Sequence, residues 1–191
     1  MTLQNLLRNI WIKLRKRPEN NKTQCNDNNE IVVLIDWPNI FLNMKSKDPQ
    51  NFNIKARIEN FLEWIKKIGR IKIIFVFTPR NLTIGNEELF LQFGFIQVLC
   101  PIITEESQNR DTTDDYLITV GKECLGDENI SHLCLVSGDS DFIPLLERTK
   151  AKGIKIGIIA ASNASLSASL IKYADFEPKI GGNMLYIIPS L

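Results

Sequence analysis

Leu133-Cys134-Leu135-Val136-Ser137-Gly138-Asp139-Ser140-Asp141-Phe142-Ile143-Pro144-Leu145-Leu146 reads as a buried strand that hands over to a helix. Four apolar residues are broken by Ser137-Gly138, and two acids follow one residue apart. From Phe142 the apolar side recurs at helical spacing, through Phe142, Leu145, Leu146 and Thr149. Pro144 suits such a helix in its first turn, where a missing N–H costs nothing. Asp139 and Asp141 therefore lie where strand becomes helix, which is the ligand end of a strand in an open α/β sheet. A purely structural account has Asp141 capping the helix and Asp139 shaping the turn. Capping explains one acid comfortably and two poorly, so this stretch alone leaves structure and function both open.

Working outward, Ile31-Val32-Val33-Leu34-Ile35 is a continuous apolar, β-branched run, the mark of a central strand covered on both faces. It ends in Asp36-Trp37-Pro38-Asn39, a second carboxylate at a strand's carboxyl end, where a lone Asp could also simply order a loop. A helix follows, capped by Asn53, with Ile54, Ile58, Phe61, Leu62, Ile65 and Ile68 on one face and Gly69 as its stop. Ile71 to Phe77 is a second strand, Glu87–Phe93 a short helix, and Phe95–Leu99 a third strand. Asp111-Thr112-Thr113-Asp114-Asp115 opens the next helix, whose buried face is Leu117, Val120, Gly121 and Cys124 with Ile118 and Leu125. Asp114 projects on that buried side at the helix start. Asp115, three residues after Thr112, has the spacing of the back half of a capping box. After the quoted stretch come a fifth strand at Ile154–Ala160, a helix from Ser162 through Ile171, and a last strand at Leu185–Ile188.

Strands alternate with helices throughout, which is the pattern of an α/β fold with a mainly parallel sheet. Right-handed crossovers then bring every strand's carboxyl end to one edge. Asp36, Asp139, Asp141 and the helix-end Asp114 converge there if the first and fourth strands are neighbours. A carboxylate buried without a partner is costly, and a cation is the simplest compensation.

Composition bounds the rest. The 191 residues suit one domain with a proper core and an extra arm, residues 1–29. In Met1–Arg17 the residues Leu3, Leu6, Leu7, Ile10, Trp11 and Leu14 fall on one helical face, and Pro18 to Asn29 reads as a polar linker. The arm holds six Lys/Arg against two acids, which leaves 17 basic and 20 acidic residues, of 23 and 22, for the body at 30–191. A mildly acidic body does not grip nucleic acid by bulk charge. The arm could dock on its own body, on a second copy, on another partner or on an anionic surface. No apolar run is long enough to span a membrane, and the charges follow the apolar stretch instead of preceding it as in a secretory signal. Cys25, Cys100, Cys124 and Cys134 show no metal-type spacing and are expected as reduced thiols of a cytoplasmic protein. His132, the one histidine, stands alone before a buried strand and is expected to be neither ligand nor base.

Three runs together carry a resemblance: Ile35-Asp36-x-x-Asn39, Asp114-x-x-Leu117 and Val136-Ser137-Gly138-Asp139-Ser140-Asp141-Phe142-x-Pro144-Leu145. With the later Gly153 strand and Ser165-Leu166…Leu170…Ala174-Asp175-Phe176, they resemble the NYN domain, closest to its LabA-like branch, within the PIN-like nuclease group. The likeness covers about residues 31–189 and leaves the arm outside. It implies a three-layer αβα sandwich with adjacent first and fourth strands. It also implies divalent-metal-dependent cleavage of RNA, with Asp36, Asp114, Asp139 and Asp141 as the acidic site and Asn39 as its polar companion. The Lys that LabA-like members usually carry shortly before the helix acid is missing; the nearest base is Arg110.

The chemistry suits the residues. Magnesium or manganese takes oxygen ligands such as clustered carboxylates. A single histidine argues against a Ser-type triad, so water becomes the nucleophile. Candidate substrate contacts are Asn39, Ser137, Arg80 and Arg110. Arg80, Arg110, Lys45 and Lys47 are read on loops near the acidic edge, where they could hold phosphates of single-stranded RNA or be ordinary solvated bases. Two other readings stand beside the ribonuclease: a catalytically weak RNA-binding or regulatory module, and a phosphohydrolase on small phosphates. The last lacks a D-x-D motif after the first strand, because Pro38 follows Asp36 by two.

Overall fold

The computed structural model describes residues 29–47, 53–79, 82, 85–105, 108–177 and 182–188. The expected arm and linker through residue 28, and Arg80, lie outside the described residues. Among the described residues, six parallel strands form the central sheet: β1 (Glu30–Asp36), β2 (Arg70–Pro79), β3 (Ile96–Cys100), β6 (Ile130–Val136), β7 (Lys155–Ala160) and β10 (Leu185–Ile187). Two short antiparallel pairs stand apart from it, β4 (Ile102–Glu105) with β5 (Gln108–Asp111) and β8 (Phe176–Glu177) with β9 (Gly182–Asn183).

The spatial order is β10-β7-β6-β1-β2-β3. From β1 the chain builds outward to β3, then crosses back to lay β6 on the other side of β1 and builds outward to β10. The winding direction therefore reverses between β1 and β6, and a crevice opens outside the carboxyl ends of strands at such a reversal. The neighbour relation on which the convergence of acids depends is present: Ile31 to Ile35 register with His132 to Val136.

β1 is buried along its whole length because both faces are covered. Strand alternation divides it between two cores. Val32 and Leu34 pack with Phe75, Phe77 and residues of α4 (Thr113–Cys124) and α5 (Ile143–Ala151). Ile31, Val33 and Ile35 pack with residues of α1 (Trp37–Lys47), α2 (Ile54–Ile68) and α3 (Glu87–Gln92). Helices thus lie on both sides of a parallel sheet, the α/β layering the sequence anticipates. α2 follows its expected pattern: Asn53 accepts the Ala56 N–H at 3.1 Å, and Ile58, Phe61, Leu62, Ile65 and Ile68 are buried. Gly69 ends it through close approach, since its backbone is extended and a Cβ there would stand 2.5 Å from the Asn29 carbonyl oxygen. Phe142, Leu145, Leu146 and Thr149 are all fully buried, as the period requires.

The structure corrects several local expectations. Residues after Asp36 form helix α1 and not a loop, with Pro38 near its start and Trp37, Ile40 and Met44 buried at i, i+3 and i+7. Lys45 and Lys47 therefore sit on a helix. The hairpin β4–β5 was not expected, and it places Arg110 on a strand. Ser162–Ile171 is not one helix. A 3₁₀ turn, Asn163–Ser165, is separated from α6 (Ala168–Ile171) by extended backbone at Leu166 and Ser167. A second 3₁₀ turn, Ser140–Phe142, precedes α5. Cys100, Cys124 and Cys134 are buried free thiols, and burial pushes Cys100 and Cys134 up to about 12.

At the opposite edge of the sheet, charges are paired. Lys72 bonds Glu30 and, at 2.9 Å, Asp127, while Arg70 also meets Glu30. Burial opposes ionisation of Asp127, but the Asn129 N–H and Lys72 outweigh it and hold the carboxyl below its ordinary value.

Phe142 joins the acid-bearing turn to the core and is fully buried. Phe142→Ala is expected to cost about 3–5 kcal/mol of unfolding free energy in urea titration. A loss below about 1 kcal/mol would mean that the turn is not anchored through this ring.

Candidate active site

Asp36 is the last residue of β1 and by alternation faces the layer that contains α4. It is 4% exposed, and both carboxylate oxygens are occupied by donors. Oδ1 accepts the Asn39 N–H at 3.3 Å, and Oδ2 accepts the Ser137 hydroxyl at 2.8 Å. The Ser137 oxygen in turn accepts the Asp139 N–H at 3.2 Å. The Asn39 amide oxygen accepts the Gly138 N–H at 3.2 Å. Two of these four contacts, Ser137 to Asp36 and Gly138 to Asn39, tie the end of β1 and the start of α1 to the turn after β6. Ser137 is fully buried, and the geometry gives it the place of a positioning residue between two acids. Trp37 points away from this edge: it is buried against Phe41 and Phe90 at ring distances of 5.2 and 4.7 Å.

Asp139 caps the 3₁₀ turn by accepting the Asp141 N–H at 3.0 Å, so the cap is Asp139 and not Asp141. Asp141 is exposed. The start of α4 is also secured differently from the expected capping box. Thr112 turns its hydroxyl away to donate to the Pro101 carbonyl at 2.6 Å. Asp111 takes over, accepting the Thr113 N–H at 2.9 Å and the Thr113 hydroxyl at 2.6 Å. One turn on, Asp114 is half-buried.

Two of these carboxyls are strongly perturbed. Burial, augmented by the charges of Asp114 and Asp139, lifts Asp36 from its ordinary 3.8 to about 7, against the opposing pull of its two hydrogen bonds. Burial lifts Asp114 to about 6, and its next strongest influences are four other carboxylates, Asp139, Asp111, Asp141 and Asp115. Like charges crowded at one edge raise one another in this way. Asp111, Asp114, Asp115 and Asp141 also line an open depression, with Ile118, Ser140, Ile143 and Pro144.

Asp36, Asp114 and Asp139 are therefore brought within electrostatic reach of one another, and Asp114 with Asp141 as well. Arg80 lies outside the described residues, as does the side chain of Arg110. Lys45 is on α1 with its ammonium 5.8 Å from the Phe41 ring centre. Asp111 is not marked as a site residue by the sequence pattern, although an acid two before a helix-starting Thr is itself a capping signal.

All candidate ligands are oxygen donors, the class magnesium and manganese take, and a cation would relieve the repulsion that raises Asp36 and Asp114. Among the described residues, no three His, Cys, Asp or Glu side chains stand closely enough together to hold an ion as placed. The donor chemistry fits a hard divalent ion. Side-chain rotation and water ligands, which magnesium usually keeps, would complete the set.

Comparisons with known proteins agree with this fold. The model of the NYN domain matches residues 30–178. An uncharacterized protein of Methanocaldococcus jannaschii is 26% identical over 179 residues, covering 94% of this chain, which spans 63% of that relative's length. The crystal structure of a protein of unknown function from Vibrio parahaemolyticus superposes with a TM-score of 0.64 at 19% identity, covering 86% of this chain and 95% of that one.

A carboxyl with a raised pKa holds its proton more tightly in the folded chain than in the unfolded one. Its contribution to stability is complete below about pH 4 and is lost as the pH rises through about 7. In chelator, wild type is expected to lose stability relative to Asp36→Asn between those values, on the order of a few kcal/mol by urea denaturation. Parallel pH profiles for the two proteins would contradict the perturbed carboxyl. Asp111→Ala is expected to cost about 1 kcal/mol through loss of the α4 cap, and an unchanged urea midpoint would count against that role.

Proposed function

The chain belongs to the NYN domain family, and on that footing we propose that it is a divalent-metal-dependent ribonuclease that hydrolyses RNA phosphodiester bonds at the acidic carboxyl edge of its sheet. The observation that carries this reading is the raised pair Asp36 and Asp114, carboxyls from two separate segments whose strongest electrostatic neighbours are further carboxyls. Such an edge is costly as a structural device and useful as a cation site. NYN domains are nuclease-like and PIN-like nucleases typically use divalent metals, which supports the same chemistry. The Ser137-Gly138-Asp139-Ser140-Asp141-Phe142 run supports the LabA-like branch within the family.

Asp36, Asp114, Asp139 and Asp141 would hold magnesium or manganese. Bound there, the ion supplies Lewis-acid polarisation of the phosphodiester and acidifies water. The residues do the rest. Asn39 and Ser137 hold Asp36 and the Asp139 turn at fixed separation, so the acids need not reorganise as charge develops. With its carboxyl at about 7, Asp36 can hold or release a proton near neutral pH before the cation enters. Water adds to phosphorus and the ester P–O bond breaks, leaving a phosphomonoester and a free hydroxyl. Arg80 and Arg110 are the proposed phosphate contacts. Because the body carries no basic excess, single-stranded RNA would be held by a few local contacts and by the ion. Buried free thiols suit a reducing, cytoplasmic setting, and among the described residues no helix is long and apolar enough to cross a membrane.

Labelled single-stranded RNA, single-stranded DNA and simple phosphate esters, each with and without manganese, separate the possibilities. The expected result is manganese-dependent cleavage of RNA. Asp139→Asn should abolish it and most of the manganese-induced rise in Tm while the protein stays folded; Asp115→Asn should retain much of the activity. RNA binding without cleavage would support the regulatory-module reading. Cleavage by Asp139→Asn at the wild-type rate would end the metal-nuclease assignment.

A further inference from the structure

The turn that presents Asp139 is held from a segment that carries none of the candidate acids. Gly138, the residue before Asp139, is fixed at both ends of its backbone. Its N–H donates to Asn39, and its carbonyl accepts the Ser167 N–H at 2.9 Å. Its α-carbon lies so close to the loop after β7 that a Cβ would overlap the Ser165 carbonyl oxygen and stand 2.6 Å from that carbonyl carbon. The Ser165–Leu166 peptide is therefore the surface on which the acid-bearing turn rests.

That surface is itself held in shape by two hydroxyls. Ser162 Oγ accepts the Ser165 N–H at 3.1 Å, and Ser165 Oγ accepts the Ser162 N–H at 3.0 Å. The two hydroxyl oxygens stand 3.1 Å apart, and Ser165 Oγ is also 3.0 Å from the Ser162 carbonyl. Ser162 is 5% exposed. These bonds engage both hydroxyls within the loop. They close a reciprocal capping box around the 3₁₀ turn Asn163–Ser165, whose last carbonyl meets Gly138.

We propose that Ser165, acting with Ser162, is a positioning residue for Asp139: the paired hydroxyls hold the loop after β7 against Gly138, and this contact sets where the Asp139 carboxylate stands. The effect on catalysis rests on the ribonuclease reading, whereas the mechanical coupling does not. Removing the Ser165 hydroxyl loosens the loop, frees the Gly138 carbonyl and lets the Asp139–Asp141 turn shift. The loss reaches the acid through backbone alone. Supports one step behind a metal ligand commonly act on metal affinity and turnover in this indirect way.

The test compares Ser165→Ala and Ser165→Thr in the full chain by three readouts. These are amide hydrogen exchange at Asp139 and Asp141, manganese affinity by electron paramagnetic resonance, and kcat and KM on a single-stranded RNA oligonucleotide. Ser165→Ala is expected to speed exchange at both amides while core amides of β1 and β6 stay protected. It should weaken manganese binding and lower kcat, each by roughly tenfold, with KM within about twofold of wild type. Ser165→Thr, which keeps the hydroxyl, should restore all three. If Ser165→Ala unfolds, Ser162→Ala removes the box from its other end and is judged by the same readouts. Unchanged exchange at Asp139 and Asp141 in the alanine variant would overturn the proposal, as would equal losses in the alanine and threonine variants. If wild type neither cleaves RNA nor binds manganese, the ribonuclease reading fails, and the exchange data still decide the coupling.

Discussion

One hydroxyl, that of Ser137, joins the two halves of this molecule. It donates to Asp36 at the end of β1 and accepts from the Asp139 backbone beyond β6, across 101 residues of sequence. The bond is possible because β1 and β6 are parallel neighbours at the point where the sheet reverses its winding. A serine in the interior needs partners for its oxygen, and a buried carboxylate needs donors. Each here satisfies part of the other's requirement. The acid that ends β1 and the turn that follows β6 therefore hold a common position, and the α4 acids face them across the edge.

The two ends of the sheet treat charge in opposite ways. At the amino end, Lys72 and Arg70 neutralise Glu30 and Asp127, and the surrounding bonds keep Asp127 ionised. At the carboxyl end, carboxyls crowd one another and two of them rise toward neutral pH. Both clusters are partly buried, so desolvation is common to them. The difference is composition: one mixes signs and the other repeats one sign. A mixed cluster compensates its own charges, while a cluster of one sign repels itself until something positive arrives.

Much of this was legible in the sequence because burial on both faces leaves a plain record. The runs at Ile31–Ile35 and Leu133–Val136, and the period from Phe142 to Thr149, each correspond to the element they predict. The acids were legible because capping could not absorb them all. Local geometry was less so. Trp37–Lys47 is helical because Trp37, Ile40 and Met44 reach the core, a three-residue pattern too sparse to stand out in a polar stretch. Asp111 took the α4 cap because Thr112 found a carbonyl at Pro101, eleven residues earlier. The break at Leu166 and Ser167 follows from contact with Gly138, which no local propensity encodes. Tertiary partners decided each of these, and sequence windows do not contain them.

The order of the strands has a consequence for synthesis. β1 emerges first, but one of its two neighbours, β6, is not complete until residue 136, and the Ser165 carbonyl that meets Gly138 comes later still. Long-range parallel pairing of this kind is slow to form, because a large loop must close before any contact rewards it. A nascent chain halted short of Ser137 has β1 and β2 but no partner for the far side of Asp36. Of the candidate acids it carries only Asp36 and Asp114, without the turn that brings Asp139 and Asp141 beside them. The edge is thus assembled only once the chain has passed Ser165, and shorter products of translation carry part of its residues without its chemistry.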